Sequence, residues 1–456
     1  MESNPSQELS GQPAEHGSQD RDERPDLLAD RSFWGINLTQ FLGAFNDNVY
    51  KQLVLLLALP TAAAASDMQG WATFTFSLPF VLFSPFAGYL SDRFSKTPII
   101  VYCKVAEIAV MLLGMLAFLF YQSWGMLGTW TVLFLMGMHS TFFGPGKYGI
   151  LPELFRPKDL ARANGLILMA TFLAIIFGVI CAGGLFDATV VKNEQGEVVG
   201  MGQLWIGSLI CVAIAVAGTL TSTFIGRTSA AQPEAVLTIR DFGISKEITD
   251  LFRHDRPLLV ALLVSCVFWM VSSITMPTVN RLGVDMLKLS MANTGTLVGM
   301  IAVGIMLGGP LGGWLCRKFS NHRLVTTGLW GIVFSLTLLG VWQSGENGDQ
   351  LWLSSGACHV VLIGLGVSAA IYSIPLQVFL QERPPAALKG RMIATMNQAN
   401  FAGMLIAGPL YQLFEQISRW MSWPVSSVFF MIALLVLPLA IFYRLGDQPT
   451  NALQSQ

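Results

Sequence analysis

Charge is what this sequence has least of. Only 12% of its 456 residues are Asp, Glu, Lys or Arg, about half the ~25% of an ordinary soluble domain, so the chain is not built to be surrounded by water. Its net charge of −1 supplies no basic patch, which argues against nucleic acid as a partner. The six cysteines (Cys103, Cys181, Cys211, Cys266, Cys316, Cys358) stand apart with no CxxC pair, so neither a disulfide framework nor a zinc site is expected. The five histidines are scattered, and neither HExxH nor a Ser/His/Asp set at matching depth occurs; no enzyme is expected. The period-two alternation of barrel strands is missing too. No basic segment leads into a cleavable apolar one near the start, so residues 1–32 read as a disordered cytoplasmic tail, not a signal peptide.

What the chain has in abundance is apolar sequence, 53% of the residues. It comes in runs of about 20, each long enough to span a bilayer as a helix. Lipid offers no partner to backbone N–H and C=O groups, so helices are the structures such runs can form. The expected fold is an all-α membrane protein with twelve transmembrane helices in two six-helix pseudo-symmetric halves. The spans are 33–59, 69–90, 98–121, 126–148, 163–186 and 203–225 in an N-terminal half covering 33–225. Those of the C-terminal half, 257–443, are 257–279, 291–315, 323–343, 351–374, 392–414 and 424–443. A central loop, 226–256, separates the halves, and 444–456 form a second tail.

Lys and Arg set the orientation. The side of the N-terminal tail collects Arg93, Lys96, Arg156, Lys158, Arg162, the basic residues of the central loop, Arg317, Lys318, Arg323, Arg383, Lys389 and Arg391. The opposite loops hold only Lys192, Arg281, Lys288 and Arg419. Both termini and the central loop are therefore expected in the cytoplasm, with the chain multi-pass in the membrane.

The halves repeat one another. Ala87–Lys96 reads AGYLSDRFSK and Gly312–Asn321 reads GGWLCRKFSN, with Gly88 and Gly313 lying 225 positions apart. Tyr89 then faces Trp314 and Arg93 faces Lys318. Each segment closes the second span of its half, which favours duplication over chance likeness of helix ends.

AGYLSDRFSK resembles the loop motif of the major facilitator superfamily, in which Gly, then Asp-Arg, then a further basic residue join spans two and three. Here these are Gly88, Asp92, Arg93 and Lys96. Gly88 permits close helix approach, and Asp92 can serve both an Arg pair and a helix N-terminus. The resemblance implies that this loop latches the two halves in one state. The second copy lacks the Asp, so the same role does not carry over to it.

A narrower resemblance rests on QFLGAFNDN in span one, PGKYGILPEL at Pro145–Leu154, RANGL at Arg162–Leu166 and PLQVFLQER at Pro375–Arg383. Together these segments are similar to bacterial lysophospholipid transporters. What that implies is movement of lysophospholipid, notably lysophosphatidylethanolamine, to the cytoplasmic side, where a separate acyltransferase restores the second chain.

The polar residues inside the spans carry the site expectations. QFLGAFNDNVYKQLVLLL places Asn46, Asp47, Asn48 and Lys51 within an otherwise apolar span. Asp47 lies some 20 Å along the helix from either end. An unpaired Asp at that depth costs roughly 2.5–3.5 kcal/mol, and Lys51 one turn on can pair with it. Lys104 is placed to snorkel, Glu107 to pair with it at i,i+3, and His139 reads as a core histidine. Lys147 belongs to the KYGIL segment. In the second half Gln377, Glu382 and Arg383 close span ten, and Asn397 enters span eleven with Gln398 and Asn400. These amides suit a head group or a helix staple equally. Gly304, Gly308 and Gly312 form a small-residue face for packing. Span seven, VFWMVSSITMPTVN, lacks the Arg that similar transporters carry there, and an anion-pairing role for Arg281 near its exit has no support in the sequence.

The binding residues expected are thus Asn46, Asp47, Asn48, Lys51, Glu107, Lys147, Gln377 and Asn397. The gating residues are Gly88, Asp92, Arg93, Lys96, Glu382 and Arg383. No cofactor or metal is expected, and coupling to Na⁺, to H⁺ or to neither is compatible with the sequence. The rival reading keeps the fold and makes the chain a proton-coupled exporter of drugs or small solutes. Its span-five Gly-Pro signature is missing from IIFGVICAGGLF.

Overall fold

Asp30 starts the first long helix by accepting a hydrogen bond from the Ser32 backbone N–H at 2.7 Å, satisfying a donor that the helix itself leaves open. Asp255, Ser290 and Ser354 cap three further helices in the same way. The computed structural model describes residues 25–60, 66–156, 159–193, 198–230, 233–234, 244, 246–316, 318–345, 348–385 and 388–444. Most of the expected N-terminal tail, Lys158, part of the central loop, Arg317 and most of the C-terminal tail lie outside the described residues.

Twelve helices of 16 to 32 residues carry the described fold. The first six are α1 (Arg31–Leu57), α2 (Gln69–Arg93), α3 (Lys96–Leu119), α4 (Tyr121–Gly149), α5 (Leu160–Thr189) and α6 (Trp205–Ser222). The second six are α7 (Arg256–Arg281), α8 (Met291–Leu315), α9 (Asn321–Gly340), α10 (Ser355–Glu382), α11 (Lys389–Trp420) and α12 (Ser427–Phe442). Nine of them, α2 to α10, are long and apolar enough to cross a membrane. Polar residues keep α1 and α11 out of that set, and α12 is apolar but only 16 residues long. Two short hairpins, β1 (Val191–Lys192) with β2 (Val198–Gly200) and β3 (Trp342–Gly345) with β4 (Gly348–Leu351), sit at one end of the bundle. That end, opposite the chain termini, is called distal below.

The duplication read in the sequence reappears in the packing. Helix α1 packs on α5, α2 on α4, and α3 on α4 and α6; in the second half α7 packs on α11, α8 on α10, and α9 on α10 and α12. Each half buries its own apolar cluster. The halves meet along two seams, α2 against α11 and α5 against α8, which the same pseudo-symmetry relates. Backbones approach closely there. A Cβ on Gly70 would stand 2.5 Å from the Gly408 carbonyl oxygen, and one on Gly183 would stand 2.4 Å from that of Met291. The 225-residue offset between the halves relates Gly70 to Gly295 and Gly183 to Gly408, so both seams were built from one glycine pattern. Gly304 and Gly308 serve packing inside the second half, against α10.

The duplicated loop also keeps its local geometry. The Arg93 guanidinium lies 5.8 Å from the Tyr89 ring and the Lys318 ammonium 4.0 Å from the Trp314 ring. Each is a cation resting on an aromatic one turn behind it.

Candidate functional site

Helix α1 runs through the interior of its half, so its polar residues turn toward neighbouring helices and not toward lipid. Asn46 donates from Nδ2 to Glu107 Oε1 at 2.7 Å. Glu107 is fully buried and paired with Lys104. The expected snorkelling of Lys104 therefore does not occur: its ammonium stays in the core because a carboxylate one turn away on α3 compensates it. Asp47 accepts a 2.8 Å hydrogen bond from Ser140 Oγ through Oδ2. Its Oδ1 has no hydrogen-bond partner and lies 3.9 Å from His139 Nε2, which has none either. Asn48 turns back to the Ala44 carbonyl of its own helix.

The expected pair between Asp47 and Lys51 is not formed. No carboxylate among the described residues lies within 4 Å of the Lys51 ammonium, which rests 5.2 Å from the Phe76 ring centroid. Phe76 in turn meets Phe80 edge-on at 5.5 Å, and Phe80 stacks on Phe401 of α11 at 4.1 Å. Lys51 thus stands at the foot of an aromatic ladder that reaches the other half. Asp47 keeps 21% of its side chain exposed and Lys51 is half-buried, whereas Lys104 and Glu107 behind them are sealed.

The remaining expected binding residues stand apart from this cluster. Lys147 is buried, two turns beyond Ser140 on α4 and about 10 Å along its axis. Gln377 is half-buried and Asn397 exposed, and no hydrogen bond among the described residues joins either to the α1 cluster. Asn400 is held within its own half by Ser265, whose hydroxyl donates to it at 2.9 Å.

Of the gating residues, Lys96 is buried and paired with Glu153, and Arg93 holds Tyr89. Asp92 is exposed and makes neither the Arg pair nor the helix cap expected of it. Gly88 has open space where a Cβ would stand, so the close approach it permits is not made here. Arg383 pairs with Asp255 at 2.5 Å, within its own half. Glu382 is exposed.

The distal end holds a constellation that sequence reasoning missed. Gln52 Nε2 donates to Asn280 Oδ1 at 2.8 Å, Asn280 Nδ2 to Gln69 Oε1 at 2.8 Å, and Gln69 Nε2 to Asp67 Oδ2 at 3.1 Å. The Tyr411 hydroxyl donates to Asp67 Oδ2 at 2.6 Å and Gln412 Nε2 to the Asp67 carbonyl at 2.9 Å. Arg281 joins Glu415 at 2.6 Å, Asp285 at 2.5 Å and Asp67 at 3.5 Å. Arg281 is therefore an anion-pairing residue after all, and its partners are the protein's own carboxylates. Burial pushes the Asp67 carboxyl upward from its ordinary value, while Tyr411, Arg281 and Gln69 pull it back. The chain of bonds passes between the halves several times. At the second seam Asp187 accepts from the Ala292 backbone N–H at 2.7 Å, placing a carboxylate at the N-terminus of α8. Every cross-half hydrogen bond or ion pair described above lies at this end, so the halves are locked distally. The signal in sequence was weak, since each of these side chains read alone is an ordinary polar residue at the end of a span.

Two pseudo-symmetric six-helix halves, joined along paired seams and enclosing charge on the first helix, define a secondary transporter. The model of the Major Facilitator Superfamily matches residues 36–409, and the chain belongs to that family. It is 27% identical over 407 residues to the lysophospholipid transporter LplT of Photorhabdus laumondii subsp. laumondii, covering 86% of this chain and 90% of that one. To the lysophospholipid transporter LplT of Pectobacterium carotovorum subsp. carotovorum it is 29% identical over 399 residues, covering 85% and 87%. Among solved structures, a POT family transporter in complex with 5-aminolevulinic acid superposes with a TM-score of 0.69 at 12% identity, over 90% of this chain and 95% of that one. The xylose transporter XylE from E. coli, inward open, gives 0.63 at 13% identity, over 92% and 98%. These structural likenesses establish the fold.

Proposed function

We propose that the chain moves lysophospholipids, lysophosphatidylethanolamine foremost, across the bacterial inner membrane to the cytoplasmic side by alternating access. The observation that carries this reading is the half-open charge site at mid-depth on α1. Asp47 and Lys51 are both accessible and not spent on each other, in a chain whose relatives are named for lysophospholipid transport. A polar head meets these groups while its single acyl chain stays among the Phe and Met side chains of the halves. The distribution of Lys and Arg supports cytoplasmic termini, and in that orientation the distal lock closes the outer face. The loop from Gly88 to Lys96 acts as the opposing latch, made when the distal lock opens; its Asp92 is unengaged here because the distal lock is closed. A separate cytoplasmic acyltransferase would consume the delivered lipid. A coupling Na⁺ or H⁺ is held by Asp47, the carboxylate on α1.

The test is uptake of labelled lysophosphatidylethanolamine by proteoliposomes, beside a panel of drugs, with and without a Na⁺ or pH gradient. Lipid uptake lost in Asp47→Asn, with the protein still inserted, is the expected result. Normal uptake by that variant removes Asp47 from the mechanism, and transport of drugs alone overturns the substrate.

A further inference from the structure

The loop from Gly88 to Lys96 has a loose side and a fixed side. Gly88 has open space where a Cβ would stand and Asp92 is exposed, but just beyond them the chain is stitched down. Lys96 pairs through its ammonium with Glu153, and its stem crosses the bare face of Gly149, where a Cβ would stand 2.9 Å from Lys96 Cε. The backbone is held as well, by residues from the start of the central loop. The Lys96 N–H donates to Thr228 Oγ1 at 3.3 Å, and the Ser95 and Thr228 hydroxyls share a 3.3 Å hydrogen bond. The Thr97 hydroxyl donates to the Gly226 carbonyl at 2.6 Å. The Gly226 N–H in turn donates at 3.1 Å to Ser32 Oγ in the first turn of α1. Ile225 beside it is buried in an apolar cluster with Phe33, Ile36 and Ile100.

These bonds solve a capping problem. A helix leaves its first N–H groups without partners inside itself. Ser95, in the N-cap position of α3, makes no side-chain cap bond, and Pro98 has no N–H. Lys96 opens the helix, and the acceptor for its N–H is a hydroxyl 132 positions away.

We infer that Thr228 is a positioning residue of the gate, anchoring, with Gly226, the base of the latch loop so that Gly88–Asp92 can close against a fixed end. This rests on the latch reading given above. A latch holds no more firmly than its base. The ion pair to Glu153 fixes only the end of a flexible four-carbon stem, whereas the bonds from Thr228 and Gly226 fix the backbone of the turn itself. They also join the starts of α1 and α3 to the chain that leaves for the second half. The far end of that chain is fastened too. A nine-residue helix, Lys246–His254, buries Ile248 and Phe252 against the second half, and Asp255 after it holds Arg383. The connection between the halves therefore departs at the base of the latch and arrives beside an expected gating residue.

Proteoliposome uptake, equilibrium binding of lysophosphatidylethanolamine and amide hydrogen exchange, all on the full-length protein, test the anchor. Losing a neutral hydrogen bond corresponds to roughly two- to tenfold in an equilibrium. Thr228→Val should speed exchange of the Lys96 amide by that factor and lower maximal uptake to a similar extent, with the half-saturating concentration and the binding affinity unchanged. Thr228→Ser, which keeps the hydroxyl, should restore both. Thr97→Val cuts the parallel bond and should deepen the loss in the double variant. Normal uptake by Thr228→Val overturns the anchor, as does a loss of uptake that Thr228→Ser fails to restore or that comes with an equal loss of affinity. Asp92→Ala separates the two readings. If it takes up lipid like the parent, the latch falls and the anchor with it; if it is slow while Thr228→Val is normal, the anchor alone falls.

Discussion

Asp67→Ala isolates the distal lock. The side chain is 1% exposed, sits between α1 and α2, and accepts the Tyr411 hydroxyl of the opposite half at 2.6 Å, with Arg281 of that half at 3.5 Å. Removing the carboxylate leaves the Tyr411 hydroxyl and a Gln69 N–H without their acceptor only while the halves are closed, because opening lets water reach them. Hydrogen bonds to a charged group contribute about 1.5–3 kcal/mol each. The cross-half share lost is therefore about 3 kcal/mol, and at about 1.4 kcal/mol per decade the equilibrium moves roughly a hundredfold toward the distally open state. Spin labels at Ser123 in the first turn of α4 and Gln343 on β3, in a background freed of native cysteines, report the distal separation by pulsed electron resonance. A longer distance should emerge in Asp67→Ala and to a smaller extent in Tyr411→Phe. Unchanged distance distributions in both variants would refute the claim that these bonds hold the distal end.

Three further outcomes follow from the geometry. Gly408→Leu should open the same distance, since even its Cβ would stand 2.4 Å from the Gly70 carbonyl oxygen, and a closed distribution would show that the seam yields without parting. Glu107→Gln should destabilise the protein by about 3–5 kcal/mol, because it strands the Lys104 ammonium in the core; a melting temperature in detergent close to that of the parent contradicts this. Asp92→Ala should leave melting unchanged within about 0.5 kcal/mol and lysolipid affinity intact, since Asp92 is exposed and unengaged, yet slow turnover in proteoliposomes. Weakened binding with normal turnover would remove it from gating.

Much of the fold was legible in the chain because a bilayer leaves few choices. Apolar runs of spanning length must be helical, and a repeated loop at matching depth announces two related halves. The Lys104–Glu107 pair was legible for a local reason, its i,i+3 spacing on one helix. The same local rule failed for Asp47 and Lys51, since spacing along α1 says nothing about Ser140 on α4 or Phe76 on α2, and those neighbours pull the two apart. His139 read as a core histidine and is buried, but only the packing of α4 sets it 3.9 Å from Asp47.

By itself the sequence determined a helical membrane protein of duplicated halves, and a carboxylate and an ammonium near the middle of its first span. Those are consequences of composition and of order along one chain. Only the tertiary structure decided which charges are spent and which remain available, and at which end the halves are locked. Asp67, Gln69, Asn280, Arg281, Tyr411 and Glu415 are scattered over some 350 positions and become a single network through helix packing. A buried polar group is costly alone and favourable when paired, and the partner that settles its fate is chosen by the fold.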